Sequence, residues 1–316
     1  MIGADDNNDL AGELALPEDL TDRQRFAERL IASVGVAEGK AVAERLGQAD
    51  EWIHFWINPL AGDPSELPAG EPLPEFPEIF ASRDRNAVTY SEAAGSGAIY
   101  IQNPSSLFAV TVLDPQPGEE ILDLAAAPGG KTIAIGARME NQGRLAAVEV
   151  VPGRYHRLRA NVERCGLSIV DFYLRDGRGV GRAVPERFDR VLLDAPCSSE
   201  ARMRWYDPDS YRHWRARKTK ETSRKQKGLI LSAYAALKPG GLLVYSTCSF
   251  ALEENERVVQ HLLKRTDAQL EEISHDLHSA RPGVVDNKLS ETLKLSLRIL
   301  PDDHWDGFYV ARIRKP

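Results

Sequence analysis

Cysteine is scarce in this 316-residue chain: there are three, and no two stand at CxxC spacing. An odd count in a chain of this size excludes a disulfide framework and gives no zinc or redox motif, so reduced thiols are expected. The seven histidines show no ligand spacing, no metal is expected, and His213 and His304 read as surface or packing residues. No apolar run approaches the ~18 residues of a membrane span. The first residues, Met1-Ile2-Gly3-Ala4-Asp5-Asp6, have neither a basic nor an apolar leader region, and a cytoplasmic protein without a membrane partner is expected. Internal repeats and phosphate-loop fingerprints are also missing. The one glycine-bearing strand-to-helix loop is neither GxxxxGK[ST] nor GxGxxG, which argues against a nucleoside triphosphate.

What is present is enough for one catalytic domain with a smaller attachment: 42% of residues are hydrophobic and 28% charged, with a net charge of −7. Residues 1–20 are acidic and lack strong periodicity, which predicts a mobile lead-in. Phe26, Leu30 and Val34, and then Val42, Leu46 and Ile53, suggest two amphipathic segments. Six prolines between Pro59 and Pro77 predict a linker or irregular stretch. On this reading residues 1–82 form a small N-terminal subdomain with a Pro-rich linker, and residues 83–316 form a catalytic α/β domain.

From about Tyr100 onward apolar strands alternate with helices, the pattern of a doubly wound, mostly parallel sheet. Strands are expected at 120–123, 145–148, 169–174, 190–193, 242–245 and 308–313, with helices such as 154–165 and 253–264 between them. In such sheets ligands bind beyond the carboxyl ends of the strands. The first strand runs into Ala125-Ala126-Ala127-Pro128-Gly129-Gly130-Lys131-Thr132, where small residues allow close approach and a helix start offers free amides. Glu149 ends the second strand, about 20 residues on, where an acid can accept both hydroxyls of a ribose. Asp176-Gly177 ends the third, where a side chain can meet an adenine amine, and Asp194 ends the fourth. Carboxylates at successive strand ends favour a nucleoside-bearing cofactor over a set of unrelated caps and turn formers.

Two of the cysteines also stand at strand ends, in Asp194-Ala195-Pro196-Cys197 and Ser246-Thr247-Cys248, whereas Cys165 falls inside a helical pattern and reads as packing. A thiolate suits methylation of pyrimidine carbon 5: attack on carbon 6 makes carbon 5 enamine-like, and an acid beside the ring supports the activated base. Chemistry alone leaves open which cysteine attacks. A further segment, 202–227, carries ten Lys or Arg against three acids, interleaved with Trp205, Tyr206, Tyr211 and Trp214. It reads either as a groove that tracks phosphates and stacks bases, or as a solvated helix face with buried aromatics.

The combination of Ala125-Ala126 and Pro128-Gly129-Gly130-Lys131-Thr132, Asp194-Ala195-Pro196-Cys197-Ser198, Ser246-Thr247-Cys248-Ser249 and Glu253-Glu254-Asn255-Glu256 resembles the Sun (Fmu)/Nop-type family of RNA 5-methylcytosine methyltransferases. Similarity runs from Ile101-Gln102-Asn103-Pro104 to Asp306-Gly307-Phe308-Tyr309. The resemblance implies a Rossmann-like S-adenosylmethionine-dependent methyltransferase fold, with a seven-stranded sheet whose last strand is antiparallel. It makes Cys248 the nucleophile, Cys197 the residue assisting product release and Asp194 the acid near methyl transfer. It assigns S-adenosylmethionine to Ala125 through Lys131, Glu149, Arg154, Asp176 and Gly177. Ribosomal RNA is the implied substrate, with transfer RNA second, held by a monomer through segment 202–227. A catalytically idle RNA-binding or assembly factor on the same fold, and a methyltransferase for a protein or small molecule, are the competing readings. The family usually has Ser-Gly-x-Gly after the Pro-Cys pair, and this chain has Ser198-Ser199-Glu200-Ala201 instead.

Overall fold

The computed structural model describes residues 9–61 and 66–316. Residues 1–8 of the expected lead-in and Pro64 lie outside them. Residues 10–20 are not a loose tail: Ala11, Leu14, Leu16 and Leu20 are buried against the helices Arg23–Val34 and Val36–Gly47. Four apolar side chains in eleven residues stabilise this packing without any clean helical period. The second amphipathic segment stops at Gly47, and Ile53 opens a strand instead of closing a helix.

Four short strands form an antiparallel sheet: Ile53–Ile57 (β1), Glu71–Leu73 (β2), Phe76–Ser82 (β3) and Ile99–Ile101 (β4), in the order β2-β3-β1-β4. The proline-rich stretch is therefore partly strand where a linker is expected. Pro72 sits on the edge strand β2, where a missing N–H costs nothing, and Pro77 lies beyond the part of β3 that pairs with β1. The sheet draws on both sides of position 82, since β4 pairs with β1.

The second sheet has nine strands among the described residues. They are Glu120–Leu124 (β5), Arg144–Glu149 (β6), Val170–Leu174 (β7), Phe188–Asp194 (β8), Leu237–Thr247 (β9), Gln269–Glu271 (β10), Ala280–Pro282 (β11), Leu297–Ile299 (β12) and Phe308–Arg314 (β13). The order is β11-β12-β13-β9-β8-β5-β6-β7, with β10 also on β13. Strands β5 to β9 are parallel and β13 runs antiparallel to β9. This is the expected α/β methyltransferase-type sheet. The strand count is nine and not seven, because three-residue strands such as β10 and β11 are too short for an apolar pattern to reveal.

Side chains along the central strands alternate between two separate cores: Ile121, Ala147, Leu192 and Val244 face one, Leu122, Val148, Leu193 and Tyr245 the other. Both faces are thus apolar, which draws helices to both sides. The helices Pro104–Leu113, Gly130–Arg138 and Pro152–Arg164 cover the first face, and Ala216–Ala236 and Glu256–Leu263 the second. Strand order reverses direction at β5, whose neighbours are β6 and β8, so a crevice opens at the carboxyl ends there.

A third core explains the aromatics of segment 202–227. Tyr211 and Trp214 are buried and Trp205 half-buried against Phe26, whose ring lies edge-on to Trp205 at 5.9 Å and Trp214 at 5.3 Å. Trp205 Nε1 donates to the Ala43 carbonyl, and the Tyr211 hydroxyl to Asp19. The expectation that these rings stack bases is therefore corrected: burying large aromatic area with each polar handle satisfied wins over exposure. Tyr206 remains exposed, as do eight of the ten cations. No helix among the described residues is long and apolar enough to cross a membrane.

Candidate active site

Parallel pairing of β8 with β9 places Asp194 opposite Ser246, so the segments that leave these strands run side by side. Each carries one of the strand-end cysteines, and the two sulfurs meet at 3.3 Å. Cys165 is buried in the first core, where it packs as expected. Asp194 Oδ2 accepts from Lys131 Nζ at 2.7 Å and Oδ1 from Ser246 Oγ at 2.9 Å. Lys131, read from the sequence as part of the cofactor loop, thus reaches across the crevice to the chemical end.

The cleft over these groups has a volume of about 580 Å³ and a smaller extension of about 200 Å³, joined through Ala125, Arg154 and Pro196. Asp194, Cys197, Cys248, Ala125, Ala126, Ala127, Pro128, Gly130 and Lys131 line the larger part; Glu149, Asp176 and Gly177 line the smaller. Gly129 lies behind the wall. Its φ of +113° is the reason for glycine there, and an added Cβ would also come within 3.1 Å of Leu158. Ala125 is held at φ +97° although it has a Cβ, a strain of about 1–3 kcal/mol. Its N–H and that of Ala126 both reach the Val148 carbonyl, at 3.0 and 2.9 Å, and hold the turn.

Glu149 Oε1 accepts from the N–H groups of Val150 and Val151, both at 2.8 Å, while Oε2 is buried without a hydrogen-bond partner, with Arg154 Nε at 3.7 Å. Asp123 is similar: Oδ2 accepts from Thr132 Oγ1 at 2.6 Å and Oδ1 has no partner. Burial pushes the Asp123 carboxyl up to about 7. Leaving a buried carboxylate oxygen unpaired costs about 1–3 kcal/mol, so both positions fit a ligand that brings donors. S-adenosylmethionine has ribose hydroxyls and an ammonium group, and the donor set fits it. Arg154 Nη2 donates to the Ala127 carbonyl at 2.6 Å, tying the glycine loop to the helix after β6. Asp176 differs from expectation in one respect: its carboxylate is taken by Arg178, at 2.6 Å, and that hydrogen bond holds it below the usual carboxylate range.

The two thiols divide their protons unequally. Cys248 is brought down to about 7, chiefly by the hydrogen bond from Cys197 and further by the charge of Arg202, against the effect of burial. Cys197 is pushed well up, first by that same hydrogen bond and then by burial and the charge on its neighbour. Cys248 is thus the more acidic of the two thiols, with Cys197 donating to it. Alkylation of Cys248 by iodoacetamide, followed by peptide mass spectrometry, is expected to rise with pH through a midpoint near 7. Removing the positive charge in Arg202→Ala moves that midpoint upward, and a wild-type midpoint at the ordinary thiol value of ~8.5 would contradict the assignment.

Several site residues have no role predicted from the sequence. Arg202 is one, visible there only as the first cation of a basic segment. Glu254 Oε1 and Oε2 both accept from the Ser198 N–H at 3.1 Å, and Glu254 also accepts from Thr222. Glu200 accepts from Trp214 Nε1 and Ser249 Oγ, each at 3.1 Å, and from the Phe250 N–H at 3.0 Å. These buried acids clamp the two cysteine loops together. The departure from Ser-Gly-x-Gly at Ser199 and Ala201, on either side of Glu200, is the available sequence signal. The helix expected at 253–264 is shortened to Glu256–Leu263 for a related reason: Asn255 Nδ2 donates to the Ser249 carbonyl, and Thr247 Oγ1 to Asn255 Oδ1.

Comparison with known proteins agrees with this geometry. Residues 110–314 match the family described as 16S rRNA methyltransferase RsmB/F. A tRNA (cytosine(49)-C(5))-methyltransferase of Pyrococcus abyssi is 39% identical over 302 residues, 88% of this chain and 96% of that protein. The ribosomal RNA small subunit methyltransferase F of Cronobacter sakazakii is 42% identical over 251 residues, 77% of this chain, which spans only 51% of that relative's length. A solved methyltransferase homolog from Pyrococcus horikoshii superimposes with a TM-score of 0.81 at 30% identity, covering 97% of this chain and 99% of its own. With the family match over most of the catalytic sheet and a full-length relative at this identity, the chain belongs to the RsmB/F (Sun) family of S-adenosylmethionine-dependent RNA cytosine-C5 methyltransferases.

Proposed function

We propose that this chain methylates carbon 5 of a cytosine in RNA through a covalent bond between Cys248 and carbon 6 of the base. The observation that carries this reading is the pair of strand-end sulfurs 3.3 Å apart, one of them ionised near neutrality, beside a carboxylate held by Lys131.

The Cys248 thiolate attacks carbon 6, and electron density moves through the ring toward nitrogen 3. Nitrogen 3 becomes more basic as this happens. Asp194, fixed on two sides by Lys131 and Ser246, hydrogen-bonds the base and holds proton density at nitrogen 3 during the attack, which offsets the charge building there. Bound S-adenosylmethionine supplies an electrophilic methyl group to the now nucleophilic carbon 5. Glu149, Asp123, Arg154 and the loop from Ala125 to Lys131 hold that cofactor, with Asp176 and Gly177 at its adenine end. Once Cys248 is a thioether it no longer accepts the Cys197 hydrogen bond or repels its ionisation, so two of the four causes that keep Cys197 protonated disappear, and burial and the charge of Glu254 remain. Cys197, its own proton released to solvent, takes the carbon 5 proton as the carbon 5 to carbon 6 double bond re-forms and the Cys248 sulfur departs as thiolate.

The exposed cations of segment 202–227 guide the RNA backbone, without the aromatic stacking. Ribosomal RNA is the substrate on the family description; transfer RNA is the second reading, favoured by the relative matched over almost its full length. Incubation of the chain and labelled cofactor with small-subunit ribosomal RNA and with tRNA transcripts, then nucleoside mass spectrometry, tests both. The expected product is 5-methylcytidine. Cofactor binding with no methyl transfer to any RNA points to the idle assembly factor, and transfer to protein alone to the remaining alternative.

A further inference from the structure

A second pocket, of about 240 Å³, opens off the chemical end of the cleft, and Ile101, Gln102, Asn103 and Asp306 line both. The dividing wall is rigid. Gln102 Oε1 accepts from Trp56 Nε1 at 3.0 Å, its N–H donates to the His54 carbonyl at 3.0 Å, and Asn103 Nδ2 donates to the His304 carbonyl at 3.2 Å.

The side of this pocket away from the wall is aromatic. The half-buried Trp52 ring lies 5.1 Å from His304, and His304 is edge-on to His54 at 5.4 Å. The exposed Arg83 guanidinium sits 4.6 Å over Trp52. Burial, with the neighbouring His304 adding to it, pushes His54 down to about 4, so its ring is uncharged at neutral pH. The floor is nearly neutralised as well. Arg45 pairs with Asp50 at 3.1 Å, and Arg204 with Asp50 at 2.9 Å and Asp306 at 2.8 Å, while Asp302 and Asp303 also line the cavity. A phosphate placed there would face four carboxylates, and of the three lining arginines Arg45 and Arg204 are already engaged with them, leaving Arg85 alone to attract it. A planar, uncharged, polar group would instead find the Trp52 and His304 rings to stack on, the usual platform for an unstacked base.

We propose that this pocket holds the nucleobase next to the target cytosine, stacked on Trp52 and His304, while the target occupies the cleft on the other side of Gln102 and Asn103. The proposal rests on the RNA reading above. Turning a base out of a strand leaves its neighbour without a stacking partner, and a platform one wall away from the thiols replaces it. It also supplies the aromatic contact that segment 202–227 does not.

The test uses the RNA that the wild-type chain methylates, resynthesised with an abasic residue immediately 5′ or 3′ of the target. One of the two abasic RNAs is expected to raise the wild-type KM by roughly tenfold or more with little change in kcat, the scale of a lost base–aromatic stack. Trp52→Ala raises KM for intact RNA by a similar factor and becomes insensitive to that abasic residue, whereas Trp52→Phe keeps a ring and recovers most of the affinity. S-adenosylmethionine affinity, measured by calorimetry, stays at the wild-type value in both variants and reports that they fold. Equal sensitivity of Trp52→Phe and wild type to both abasic RNAs, at less than about twofold in KM, overturns the subsite and leaves the methyltransferase reading standing. A wild-type chain that methylates no RNA overturns both.

Discussion

Cys248→Ala is expected to lose methyl transfer to RNA by at least about 10³-fold while binding S-adenosylmethionine as the wild type does. The substitution deletes one sulfur from a half-buried position and leaves Glu149, Asp123 and the glycine loop untouched. What disappears is the thiol that, on the proposed mechanism, bonds carbon 6. Without that bond carbon 5 stays a weak nucleophile, however well the cofactor is positioned. The measurement is single-turnover transfer of labelled methyl into RNA, with cofactor affinity from calorimetry as the control. Wild-type turnover by Cys248→Ala would remove covalent catalysis through this residue, and turnover retained in Cys197→Ser as well would remove the pair altogether.

Cys197→Ala is expected to behave in the opposite way, accumulating a protein–RNA adduct that survives denaturing electrophoresis. Attack by Cys248 persists and the step that releases it is impaired, so the covalent complex builds up. The same substitution removes the hydrogen bond that is the largest influence lowering Cys248, so the thiol of the variant titrates above about 7. Less thiolate is present at neutral pH, adduct forms more slowly there, and raising the pH toward ~8.5 restores its formation rate. Trapping should depend on Cys248, with none in the double variant. Trapped adduct in Cys248→Ala with free turnover in Cys197→Ala would exchange the two roles.

The acids at the ends of β6 and β8 and both strand-end thiols are legible because a half-buried α/β strand announces itself by apolar residues, and the side chains just past its carboxyl end fall in one crevice. The same logic identifies the glycine loop, although Gly129 is there for its backbone angle and lies behind the wall. Legibility fails where one element packs on a distant one. Trp205, Tyr211 and Trp214 stand among cations and look like a surface until Phe26 and Leu30 of the N-terminal helices cover them. Pro72 looks like a break until β3 supplies the inner strand that leaves it on an edge. Glu200 and Glu254 look like ordinary loop acids, yet each is buried and holds the other cysteine's segment in place.

By itself the sequence determined the α/β sheet and the crevice in which a nucleoside cofactor and a thiol nucleophile belong. Both come from local periodicity and from residues a few positions past a strand. Only the tertiary structure shows which thiol is the more acidic, because that depends on a 3.3 Å contact and on the charge of Arg202, set by the pairing of β8 with β9 and by the packing of the N-terminal helices against the loop after Cys197. Distances across the chain, on which electrostatics and burial depend, are not written in the spacing of residues along it.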